Sequence, residues 1–111
     1  MNTTFGEYIK KLRNENGLTL TQLAAKLELD SANLSKIENG KREFDEKRLE
    51  KLSLIFKIEL NTIKTEYYSD LFAKKIYENN CSIDTLSVAE EKVEYLKGKN
   101  TIQSKINFDT K

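Results

Sequence analysis

Only two residues, Glu28 and Leu29, separate one helix from the cap of the next, and this spacing constrains the chain more than any other feature. Upstream, Thr19-Leu20-Thr21-Gln22 has the spacing of a capping box, in which Thr19 and Gln22 each satisfy an open amide at a helix start. Leu23, Ala24 and Leu27 supply the apolar stripe of that short helix. Downstream, Asp30 reads as a cap, Leu34 and Ile37 as an inward pair, and Asn39-Gly40 as a stop. Two short helices joined so tightly must cross at a steep angle.

The same signals continue on both sides. Thr4-Phe5-Gly6-Glu7 is another capping box, Phe5, Ile9 and Leu12 share one face, and Asn16-Gly17 ends the first helix. Asp45 is positioned to cap a fourth helix with Leu49, Leu52 and Phe56 inward. Leu60, Ile63, Tyr67 and Leu71 recur at helical spacing, with Tyr68, Phe72 and Ile76 beside them, until Asn79-Asn80. This double stripe is too wide for one contact, so the long helix is expected to meet a second surface. Ser82 or Asp84 starts a last helix carrying Leu86, Ala89, Val93 and Leu96, which Gly98 is expected to close. Residues 99–111 are polar and aperiodic and read as a flexible tail.

Composition narrows the chemistry. There is no His, which removes the commonest general base and the commonest metal ligand. A single cysteine, Cys81, allows neither an internal disulfide nor a paired-cysteine metal site, and reads as a buried or half-buried thiol. Neither a metal nor another cofactor is expected, and no positioned base or nucleotide-binding loop points to an enzyme. No apolar run is long enough to span a membrane, and MNTTFGEYIKK lacks the apolar core of a signal peptide, so a cytoplasmic protein is expected. The charge is balanced, at +2 over residues 1–64 and −1 over the rest. Any nucleic-acid binding must therefore come from local charge.

The helix after Asp30 is the informative one. With Leu34 and Ile37 inward, Ser31, Ala32, Asn33, Ser35 and Lys36 occupy the outer face and the first turn. This face is short and polar, and it is followed by Asn39-Gly40-Lys41-Arg42, a turn with two cations and expected open backbone amides. Such a helix suits a DNA major groove, with the turn holding phosphates. On these residues alone, a merely solvated face followed by a polar loop is an equal alternative.

The segments IKKLRNENGLTL, QLAAKLELDSANLSKIENGKR and LEKLSLIFKI together tip the balance. Residues 5–63 resemble the Xre/Cro-like, phage-repressor type of helix-turn-helix family. The resemblance implies an all-α, five-helix, lambda-repressor-like DNA-binding domain, here with a C-terminal helical extension. The expected organisation is a helix-turn-helix domain over 1–64, a dimerising extension over 65–98 and the tail over 99–111. By position, Ser31, Ala32, Asn33 and Lys36 match the family's base-contacting residues. Asn33 would suit adenine, and Lys36 guanine. Thr19, Gln22, Asn39, Lys41 and Arg42 match its phosphate contacts, and Arg13 with Glu38 matches a structural ion pair. Two positions depart from many relatives. Leu20 stands where they carry a phosphate-binding Gln, and Glu28 where they carry a Gly, so a left-handed backbone there would strain Glu28.

Such domains usually act on double-stranded DNA as homodimers. Leu60, Ile63, Tyr67, Leu71 and Phe72 are the expected dimerisation residues. Size and the short extension look most like controllers of restriction–modification genes. The competing reading is a protein-interaction module, such as an antitoxin that grips a partner protein through residues 60–96.

Overall fold

The computed structural model describes the backbone of residues 3–106 and the side chains of residues 3–99. Six α-helices follow in order: α1 Phe5–Glu15, α2 Leu20–Leu27, α3 Ser31–Glu38, α4 Leu49–Phe56, α5 Leu60–Glu78 and α6 Asp84–Ile106. The fold is all-α, as the sequence predicts. Both capping boxes form, with Thr4 paired to Glu7 and Thr19 to Gln22. The Asp30 carboxylate accepts from the Asn33 amide at 2.7 Å and starts α3.

Five helices end by one device. A residue with positive φ follows the last turn at Gly17, Glu28, Gly40, Lys57 and Asn80. The next amide reaches back to a carbonyl five residues earlier: Leu18 to Arg13, Leu29 to Ala24, Lys41 to Lys36, Ile58 to Ser53 and Cys81 to Ile76. This is the Schellman closure. Leu18, Leu29 and Ile58, the residues just past three of these turns, pack against the core. Each closure thus reverses the chain and aims an apolar side chain inward.

The core joins every helix from α1 to α5. Ile9, Leu23, Leu27, Leu34, Leu52 and Ile63 are fully buried at its centre. Each such side chain contributes about 2 kcal/mol of transfer free energy. Phe5, Phe44 and Tyr67 close one end, with Tyr67 edge-on to Phe5 at 5.1 Å. The Tyr67 hydroxyl donates to the Phe44 carbonyl at 2.7 Å, so its polar end is satisfied inside.

Several expectations change. Asp45 caps a single 3-10 turn, Glu46–Arg48, and α4 begins only at Leu49. Ile63 and Tyr67, assigned from sequence to a dimer interface, are 0% and 6% exposed within the chain's own core. Leu60 and Leu71 also lean on that core, and only Phe72 of the five stands largely clear, at 59% exposure. The first compact unit ends at Phe72. Finally, α6 runs through Gly98 to Ile106. Gly98 has open space around it and does not take a left-handed φ, and one glycine costs a helix only about 1 kcal/mol. Of the expected tail, 107–111 lie outside the described residues.

The second unit, from Ala73 onward, contains the end of α5 and α6. Ser82 Oγ accepts from the Asp84 amide at 3.1 Å, which settles the start of α6. Tyr77, Ile83, Leu86, Val88, Val93, Tyr95 and Leu96 are exposed there. Cys81 is exposed too, contrary to its expected burial.

Candidate nucleic-acid interface

The turn between α2 and α3 is built as its spacing requires. The Glu28 amide closes α2, Leu29 turns inward, and Asp30 immediately caps α3. Glu28 has φ 60 and ψ 42, so a non-glycine residue occupies the left-handed region. Arg48 holds this strained turn from outside. Its Nε donates to the Leu27 carbonyl at 2.8 Å and its Nη2 to the Glu28 carbonyl at 3.3 Å, while Nη1 meets Asp45 at 3.0 Å. The sequence reading missed Arg48, because its partners lie about 20 residues away and no local pattern marks them. Lys51 adds an ion pair to the Glu28 carboxylate at 3.2 Å.

A second lock sets the far end of α3. Arg13 Nε and Nη2 donate to the two Glu38 carboxylate oxygens, and Nη1 donates to the Leu18 carbonyl at 3.0 Å. The Arg13–Glu38 pairing expected from the resemblance is therefore present as a fork. The hydrogen bond to Glu38 is the main cause that raises the Arg13 pKa above its ordinary value. Gly6 completes the contact between α1 and α3. A Cβ there would collide with the Ile37 carbonyl oxygen and lie 3.0 Å from that of Glu38. Only glycine lets α1 approach so closely. The sequence reading placed Gly6 inside a capping box without assigning it this role.

With its inner side fixed, α3 presents its other side to solvent. Ala32 and Lys36 are exposed, and Ser31 and Asn33 half-buried. The four predicted base-reading residues thus lie on one short helix, Ala32 and Lys36 on its exposed side and Ser31 and Asn33 flanking the buried pair Leu34 and Ile37. Thr19 and Gln22 are exposed at the start of α2. In their capping box the Thr19 hydroxyl and the Gln22 Oε1 act as acceptors, which leaves the Thr19 O–H and the Gln22 amide nitrogen to donate outward. Leu20, the departure from the usual Gln, packs on the core instead.

The turn after α3 differs from expectation. The amides of Asn39, Gly40 and Lys41 donate to the carbonyls of Ser35, Ile37 and Lys36. They are consumed in closing the helix and are not open to phosphate. What this turn offers is side chains: Asn39, Lys41 and Arg42 are all exposed. Arg42 folds back along α3, and its Nη1 donates to Asn33 Oδ1 at 3.2 Å.

Comparison with known proteins agrees with this geometry. The profile of a helix-turn-helix family matches residues 9–63. These residues are an Xre/Cro-like helix-turn-helix domain. The match runs from within α1 to Ile63 in α5 and contains α2, α3 and α4 entire. The chain is also 34% identical over 84 residues to a Bacillus subtilis (strain 168) protein named HTH-type transcriptional repressor RghR. That alignment covers 72% of this chain and 62% of the relative, so the chain spans about three fifths of the relative's length. No solved structure shows significant similarity. Among the described residues, no group of His, Cys, Asp and Glu is placed to hold a metal, and no helix is long and apolar enough to cross a membrane.

Proposed function

We propose that this chain is a sequence-specific DNA-binding transcriptional regulator, acting in the cytoplasm as a homodimer on a two-fold symmetric operator. The observation that carries the reading is the state of α3. Its inner side is held by the Arg13–Glu38 fork and the Gly6 contact, while Ser31, Ala32, Asn33 and Lys36 stay available on the outside. A rigid helix with short polar side chains is what major-groove reading needs. Thr19, Gln22, Asn39, Lys41 and Arg42 flank it as phosphate contacts, with Thr19 also capping the helix that carries Gln22. The name of the Bacillus subtilis relative favours repression over activation.

Charge and size support the dimer. A net charge of +1 gives weak non-specific attraction, and one domain reads only a few base pairs. Two copies would read half-sites spaced by about 10 base pairs. Burial of Ile63 and Tyr67 removes them as contact candidates, and exposed apolar residues remain on each unit by itself: Phe72 on the first, and Tyr77, Ile83, Leu86, Val93 and Leu96 on the second.

Those same residues also favour a second reading, a protein-interaction module in which a different protein covers them. Sedimentation of the purified chain with random duplexes, followed by sequencing of the bound fraction, separates the two. A dimer that enriches a two-fold repeat spaced by one helical turn supports the regulator. A monomer that enriches nothing supports the partner-binding module.

A further inference from the structure

Asn33 sits between two charged neighbours of opposite kind. Its backbone amide donates to Asp30 Oδ1 at 2.7 Å, and its side-chain Nδ2 donates to Asp30 Oδ2 at 3.3 Å. On the other side, Arg42 Nη1 donates to its Oδ1 at 3.2 Å. Asp30 precedes α3 and Arg42 follows it, so the chain of contacts runs from one end of the helix to the other.

The chemistry of these partners permits one orientation of the amide. An ionised carboxylate only accepts hydrogen bonds, and a guanidinium only donates. Rotating the Asn33 amide by half a turn would set oxygen against carboxylate and NH2 against guanidinium. Both contacts would become repulsive.

We propose that Arg42 is a positioning residue for base reading: together with Asp30 it fixes the Asn33 amide in the orientation that pairs with adenine. The inference rests on the regulator reading above. The amide has two donor hydrogens and two acceptor lone pairs. Asp30 takes one hydrogen and Arg42 one lone pair. One donor and one acceptor remain, which is the pair that adenine N7 and N6 require in the major groove. Because the orientation is set before DNA arrives, Asn33 loses little rotamer freedom on binding. Arg42 therefore does more than attract phosphate, and a lysine, which keeps the charge but lacks the planar, pre-organised fork, holds the amide less firmly.

The test uses the full chain and the site it enriches from random duplexes. Arg42→Lys keeps the charge, and Asp30→Ser keeps an acceptor for the Asn33 backbone amide while removing the second carboxylate oxygen. Asn33→Ala identifies the base pair that Asn33 reads. At that base pair alone, Arg42→Lys and Asp30→Ser are each expected to reduce discrimination about fivefold, within the range a lost bidentate contact produces. The salt slope of Arg42→Lys should match the wild type, and Arg42→Lys should add nothing to Asn33→Ala. Thermal unfolding of each variant serves as the control for folding. If both variants keep full preference at the position that Asn33→Ala flattens, the positioning role is overturned while the regulator reading stands. If the wild type enriches no sequence, the regulator reading falls and takes this inference with it.

Discussion

Arg13 grips both oxygens of Glu38, with Nε 2.8 Å from Oε2 and Nη2 3.1 Å from Oε1, and the Glu38 side chain is only 4% exposed. The pair joins the last turn of α1 to the last residue of the helix proposed to read DNA. A carboxylate this buried needs both donors of the fork, because desolvation would otherwise disfavour its charge.

Arg13→Ala should therefore lower stability by about 3 kcal/mol, since it strands a buried carboxylate. Urea unfolding at neutral pH measures this. Combining Arg13→Met with Glu38→Leu should recover most of the loss. A double variant no more stable than Arg13→Ala would show that packing, rather than the unpaired charge, dominates.

Gly6→Ala should cost about 2 kcal/mol through the collision with the Ile37 carbonyl, which is backbone and cannot swing aside. The same variant should weaken binding to the enriched site, because relief of the clash displaces α3. Normal stability together with normal binding would show that α1 can move away freely.

Glu28→Gly should raise stability by about 0.5 kcal/mol. Relief of left-handed strain, about 1 kcal/mol, outweighs the added freedom of the unfolded chain. The Lys51 ion pair lost at the same time is exposed and contributes little. Thermal unfolding decides the sign. Arg48→Ala should act in the opposite direction and expose the Leu27 and Glu28 carbonyls.

Lys36→Ala and Lys41→Ala should separate by salt dependence and sequence. Loss of Lys36 should cost about 1–3 kcal/mol on the enriched site and little on random DNA. Loss of Lys41 should weaken both alike and reduce the salt slope by about 1. Binding isotherms at several salt concentrations provide the comparison, and equal losses on both DNAs for Lys36 would remove it from base reading.

Alkaline pH should loosen the aromatic end of the core. Burial raises the pKa of Tyr8 and Tyr67 above 10.0, and the hydrogen bond to Glu46 raises that of Tyr68. The native state then holds protons that the unfolded chain releases first. Stability should be full below pH 10 and fall as pH rises beyond it. Urea midpoints across that range should drop less steeply in Tyr67→Phe, and an unchanged slope would remove Tyr67 from the effect.

Much of the architecture was legible because its signals are local. A capping residue contacts an amide three positions away, and an apolar stripe repeats every three or four, so Thr4, Thr19, Asp30 and Asn39-Gly40 mark α1, α2 and α3 closely. Other features left no such mark. Lys57 and Glu28 close helices in the left-handed region without being glycine. Gly98 is a glycine that closes nothing.

The sequence alone determined the starts of α1, α2 and α3, the tight α2–α3 junction and the outward face of α3, since each follows from contacts within a turn or two. Tertiary structure decided which apolar residues are core. Ile63, Tyr67 and Phe72 lie on two adjacent stripes that the sequence treats alike, yet the first two are buried and Phe72 is exposed; Tyr67 is covered because Phe5 and Phe44 arrive from more than 20 residues away. Tertiary structure also placed Arg48 on the α2–α3 turn. It set Arg42 on Asn33, through a backbone reversal that begins at Gly40. A long flexible cation can reach many partners, and only the folded backbone selects one.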